Sequence, residues 1–179
     1  MWQSARMASE LPTGEQALLA EAASKTGLVW LRPQGQARSW PAWHVWHEGA
    51  VHVVSGPGEQ TLPELSGGVD VLVRSKESGA RLITVPATAE RLSPDDDRWL
   101  PAATALAASR LNSAVSPAEL PAHWAGTATV TRIAAAGEAL ERPGAYDQAS
   151  GAASPAPASG TTSTWRPWHL FGRGRRGRR

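Results

Sequence analysis

Two β-prone runs, Trp40–His47 and Ala50–Ser55, are separated only by Glu48-Gly49, and this hairpin restricts the fold more than any other feature of the chain. Glycine at such a turn adopts positive φ without steric cost. A two-residue loop is therefore expected, with His47 opposite Ala50, Val45 opposite His52 and Trp43 opposite Val54. Alternation then puts Trp43, Val45, His47, His52 and Val54 on one face, and His44, Trp46, Val51 and Val53 on the other. Both faces are part apolar and part polar. A sheet with one wet side keeps its apolar residues on a single face. The pattern points instead to a barrel whose outside meets a helix or a second subunit.

The flanking sequence supplies more strands and a few helices. Thr13-Gly14-Glu15-Gln16 has capping-box spacing ahead of helix formers that run to Lys25, and Gly27 stops them. Leu28–Leu31 reads as a short buried strand ended by Pro33. Ser55-Gly56-Pro57-Gly58 is a turn, and Glu59–Leu65 is expected as a short helix interrupted by Pro63. Val69–Val73 alternates as a strand, Arg74–Gly79 is a polar turn, and Ala80–Leu92 is a long strand bent near Pro86. Ser93-Pro94-Asp95-Asp96-Asp97 combines a serine cap, an early proline and acids suited to the dipole. It predicts a helix to about Asn112, kinked by Pro101. Thr127–Ala135 is the last strand. The fold class expected is mostly β with flanking helices, occupying residues 1–136.

Beyond Gly137 the character changes: Gly, Ala, Ser, Thr and Pro dominate from Gly144 to Thr164, with almost no large apolar residue there to offset ordering entropy, so residues 137–179 are expected to be a disordered tail. Six arginines, Arg166, Arg173, Arg175, Arg176, Arg178 and Arg179, lie in its last fourteen residues, and no acid follows Asp147. Residues 1–165 thus hold 12 of the 18 basic groups against all 16 acids, a net of −4. Any attraction to an anionic surface, membrane or nucleic acid, belongs to the tail and to its Trp165–Phe171 segment.

Several chemistries are excluded or left unsupported. With no cysteine, disulfides, thiolate metal sites and cysteine nucleophiles are ruled out. No apolar stretch approaches the roughly 18 residues of a membrane span, and Met1–Leu11 lacks a signal-peptide core; a cytoplasmic protein is expected. Strand geometry sets His44 and His47 on opposite faces, and His47 and His52 only diagonally on one, so no metal site is expected. No Gly-x-Ser-x-Gly elbow is present, and no residue stands out as a catalytic acid or base.

The order of these parts resembles the FMN-binding split-barrel superfamily, the pyridoxamine-5'-phosphate-oxidase-like proteins, and looks closest to an actinobacterial branch that binds flavin or deazaflavin. The likeness is carried by Trp40-Pro41-Ala42-Trp43-His44-Val45-Trp46, Val51–Ser55, Leu62-Pro63-Glu64-Leu65, Val69–Val73 and Arg81–Glu90. It implies a six-stranded split barrel, a homodimer, and an FMN or deazaflavin nucleotide at the subunit interface, with oxidoreductase activity a further expectation. By the same resemblance the cofactor site would draw on Trp43 to stack on the ring. Ser55, Gly58, Gln60 and Thr61 would serve the phosphate, with Arg74 and Lys76 reaching in from the next turn. Relatives carry Lys or Arg four residues before the leucine of the short helix; here that place, before Leu65, is Thr61, with Glu59 close by. The alternative from another class is a cofactor-free binding or scaffold module whose basic tail does the contacting.

Overall fold

The computed structural model describes residues 11–146, so the arginine cluster and the rest of the tail from residue 147 lie outside the described residues. In chain order the elements are α1 (Thr13–Lys25), β1 (Leu28–Pro33), β2 (Trp40–Trp43), β3 (Val45–His47), β4 (Ala50–Ser55), β5 (Gly67–Arg74) and β6 (Arg81–Arg91). They are followed by α2 (Trp99–Ser109), α3 (Leu120–Thr127) and β7 (Thr129–Ala135). The strands form one sheet in the order β2-β1-β5-β6-β7-β4-β3, and every pairing is antiparallel.

This order itself shows that the sheet is rolled. Its two edges, β2 and β3, are joined by a single residue, His44. One residue spans less than 4 Å, so strands at opposite ends of a seven-strand ribbon must meet, and the ribbon closes into a near-complete barrel. The six strands expected become seven because the run Trp40–His47 breaks at His44. Its first half pairs with β1 and its second with β4. The hairpin register is otherwise as expected, with His47 opposite Ala50 and Val45 opposite His52. Glu48 and Gly49 both take positive φ, 45° and 73°.

The two-faced apolar pattern has a simple outcome. Val51 and Val53 point into the barrel with Val29, Leu31, Val71 and Ile83, and Leu19 and Ala23 of α1 join the same core. Val54 and Val130 point outward and are covered by α2 and α3 through Leu106, Leu120 and Trp124, with Trp43 and Val45 at the margin. Full burial of a valine or leucine side chain stabilises by about 1.5–3 kcal/mol, so the hairpin is held from both sides. The alanines Ala102, Ala103 and Ala107 are buried, and small side chains there let α2 lie close against the strands.

Four local expectations are corrected. No side chain caps α1; the Gln16 N–H donates instead to the carbonyl of Pro12, at 2.9 Å. Residues 61–66 are not helical; Pro63 withholds a backbone donor within the single turn available. Residues 93–98 make two successive turns and the helix begins only at Trp99. There the carboxylate of Asp96 accepts from the backbone N–H of Arg98 and from its guanidinium, a local bond that competes with helix. Pro101 therefore falls in the first turn of α2, where its missing N–H costs nothing and no mid-helix kink arises.

Residues 137–146 stay with the barrel. Beyond Ala136 the chain returns to β6, where Thr84 exchanges backbone hydrogen bonds with Leu140 and Glu141. Glu141 is buried, ion-paired to Arg81 and accepting from the Thr84 hydroxyl at 2.7 Å. The arginine holds its carboxyl below the usual range. Among the described residues no helix is long and apolar enough to cross a membrane.

Candidate functional site

The loop that leaves β4 is built by three residues with distinct tasks. Gly56 has φ of +143°, and a side chain there would meet the backbone of Thr127 and Ala128 at 3.1 Å, so glycine is required where the loop crosses the start of β7. Glu59 reaches under the loop, accepting from Arg110 at 2.8 Å and from the indole N–H of Trp124 at 3.1 Å. That clamp ties the loop to the end of α2 and to α3. Gln60 closes the barrel seam. Its side-chain amide accepts from the Trp43 N–H at 2.9 Å and donates to the carbonyls of Trp43 and Val54 at 2.9 and 3.0 Å. The direct pairing of Trp43 with Val54 expected from the hairpin is thus replaced by one amide inserted between them.

Outside this loop lies a cavity of about 560 Å³ whose lining includes Ser55, Thr61, Ser66, Arg91, Thr129 and Thr131. Strand register gathers four of them. Ser55 of β4 stands opposite Thr129, and Arg91 of β6 stands opposite Thr131, on the two ladders that flank β7. Directly opposed residues project to one side, and so do positions two apart on β7. Hydroxyls from three segments and one guanidinium therefore converge. The Arg91 guanidinium has neither an ion pair nor a hydrogen bond among the described residues. Glu64 lines the same cavity.

The remaining residues expected at a cofactor site are distributed elsewhere. Trp43 lines a second cavity, of about 550 Å³, with His44, Trp46 and Asn112; Arg110 also lines it and lies over the Trp43 ring at 5.7 Å. Arg74 and Lys76 line a third, of about 250 Å³, beside Lys25, Glu21 and Glu77, and Arg74 is stacked on Trp30 at 5.0 Å. Gly58 borders a fourth depression with Arg110. The structure thus brings Ser55 and Thr61 together, keeps Gln60 in the same loop as a structural amide, and separates Trp43, Arg74 and Lys76 from them. Glu59, the acid close by Thr61 in the sequence, is ion-paired with Arg110. Arg91 went unnoticed because it ends a long strand with nothing distinctive beside it. Only the pairing of β6 with β7 reveals where it points.

Burial holds His44 and His52 neutral. His52 is buried, and burial together with the nearby His47 and Arg132 pushes its imidazole down to about 4. Burial also lowers His44, whose Nε2 lies 2.9 Å from the carbonyl of Ala23. A carbonyl only accepts, so Nε2 carries the proton. The His47 and His52 rings meet edge to face at 5.8 Å, and among the described residues no three His, Cys, Asp or Glu side chains gather as metal ligands do.

No protein-family model matches the sequence, and neither does any curated protein. Solved structures do show similarity. HutZ, the heme storage protein from Vibrio cholerae, is 14% identical over 68% of this chain and 90% of its own, with a TM-score of 0.49. A candidate pyridoxamine 5'-phosphate oxidase from Corynebacterium glutamicum is 17% identical over 71% and 86%, at 0.41. A NimC/NimA family protein from Clostridium acetobutylicum is 18% identical over 72% and 96%, at 0.39. At such identities and scores these structures carry no ligand and no activity to this chain.

Proposed function

We propose that this chain is a split-barrel protein that binds a flavin-type nucleotide, FMN or a deazaflavin nucleotide, and does so as a homodimer. The observation that carries the reading is the hydroxyl-lined cavity beside the β4 loop, with an arginine unpaired among the described residues, at the place where the resemblance expects a phosphate. What the residues fit is the phosphate end of such a ligand: serine and threonine hydroxyls donate to its oxygens, and a guanidinium matches its charge. The chain's own work is binding, orienting and excluding water. A bound flavin ring would itself supply the hydride chemistry of an oxidoreductase. Support for a subunit contact comes from the outer face of β1 and β5, where Leu28 is 50% exposed and Trp30 and Leu72 are partly exposed.

The full chain, purified and mixed with excess FMN or a deazaflavin nucleotide, should retain one of them through gel filtration, visible as an absorption band travelling with a dimer by light scattering. A colourless protein that retains neither would overturn the reading and favour the cofactor-free binding module.

A further inference from the structure

We infer that Arg91, at the end of β6, is the specificity residue of this cavity and makes it a site for a phosphomonoester. The inference rests on reading the cavity as the phosphate end of a nucleotide site, and it names the group that reads the charge.

Two sources of positive potential suggested by the sequence are missing. Residues 61–66 form no helix, so no helix start presents N–H groups, and the position four before Leu65 is Thr61. Arg74 and Lys76 face a different cavity. Arg110 is committed to Glu59. Arg91 remains as the one cation lining this cavity, and its guanidinium is unpaired among the described residues. Its cross-strand partner Thr131 is buried, and Thr129 pairs with Ser55 on the adjoining strand. A phosphate held there would meet a two-pronged donor on one side and hydroxyl donors on the other. Glu64 is the counterweight: its carboxylate lines the same cavity and is not ion-paired with Arg91. It opposes an anion, and it would favour a ligand that also bore a cation.

The test uses FMN, riboflavin and inorganic phosphate as probes of the full chain. FMN should bind more tightly than riboflavin, which lacks the phosphate. Arg91→Ala should weaken FMN by about tenfold or more while leaving riboflavin unchanged, the loss of one charge-assisted contact. Glu64→Gln should strengthen FMN. Equal loss of both flavins in Arg91→Ala would make the arginine structural and overturn the inference. Weaker FMN binding in Glu64→Gln would do the same, because removing a carboxylate charge beside Arg91 can only favour a phosphate held there. Should neither flavin bind, the nucleotide reading fails but the anion site is still open to test. Inorganic phosphate should then raise the melting temperature of the wild type above that in chloride of equal ionic strength, and this gain should vanish in Arg91→Ala. Equal gains in both proteins would overturn the site as well.

Discussion

At the scale of single residues, the buried imidazoles turn packing into pH dependence. His52 titrates near pH 4 in the folded protein and near pH 6.5 when exposed in the unfolded chain. Above about pH 6.5 both states are neutral and the full stability is present. Between about pH 6.5 and 4 the unfolded chain takes up a proton that the folded protein refuses. Stability then falls by up to about 1.4 kcal/mol per pH unit, and below pH 4 this source of loss ends. His44 is shifted in the same direction by burial and adds to the slope. Urea unfolding at pH 7 and pH 5 should show a smaller drop for His52→Phe than for the wild type. An equal drop would mean that His52 is not the residue resisting protonation. None of this was legible in the sequence, where His44, His47 and His52 were three polar positions on a strand. Their burial depends on what lies above them, and periodicity does not report that.

At the scale of elements, the barrel is shut by a side chain rather than by a strand ladder. β2 and β4 approach each other at Trp43 and Val54, yet Gln60 takes the backbone bonds of both. Gln60→Leu would leave two carbonyls and one N–H without partners, and Gln60→Glu would remove the donors while keeping the shape. Each should lower stability by about 2–3 kcal/mol, read as a fall in the urea midpoint at constant slope. A change below about 0.5 kcal/mol in both would show that the seam does not depend on this amide. The element boundaries themselves were largely readable. The strands of the hairpin, β5, β6 and β7 follow alternation and turn chemistry, which are local. The starts of α1 and α2 were misread because neither helix takes the cap its sequence offers. Thr13 leaves the task to Pro12, and Asp96 prefers Arg98.

For the molecule as a whole, the described chain past Ala136 is part of the fold rather than an appendage. Leu140 and Glu141 extend the pairing of β6, and Glu15 of α1 accepts from the backbone of Ala139 and is ion-paired with Arg142. A chain ending at residue 136 should therefore be less stable than one ending at 146. It leaves Arg81 without the Glu141 carboxylate and Thr84 without its backbone partners. The expected loss is about 3 kcal/mol, or roughly 6–12 °C in melting temperature. Coincident melting curves for the two chains would show that the segment only decorates the barrel.

By itself the sequence determined that a hairpin around Glu48-Gly49 exists, which residues share each of its faces, and that both faces must be buried. Those are consequences of a two-residue period and a turn glycine, and they act over a few residues. The tertiary structure alone decided that the run Trp40–His47 divides at His44 between the two edges of the sheet. It also decided that Gln60 seals the seam, that Glu59 is spent on Arg110 and Trp124, and that Arg91 reaches the Ser55 cavity. Each depends on which strands lie side by side. That choice pairs residues as far apart in the chain as Val51 and Ile133, and no local pattern in the sequence records it.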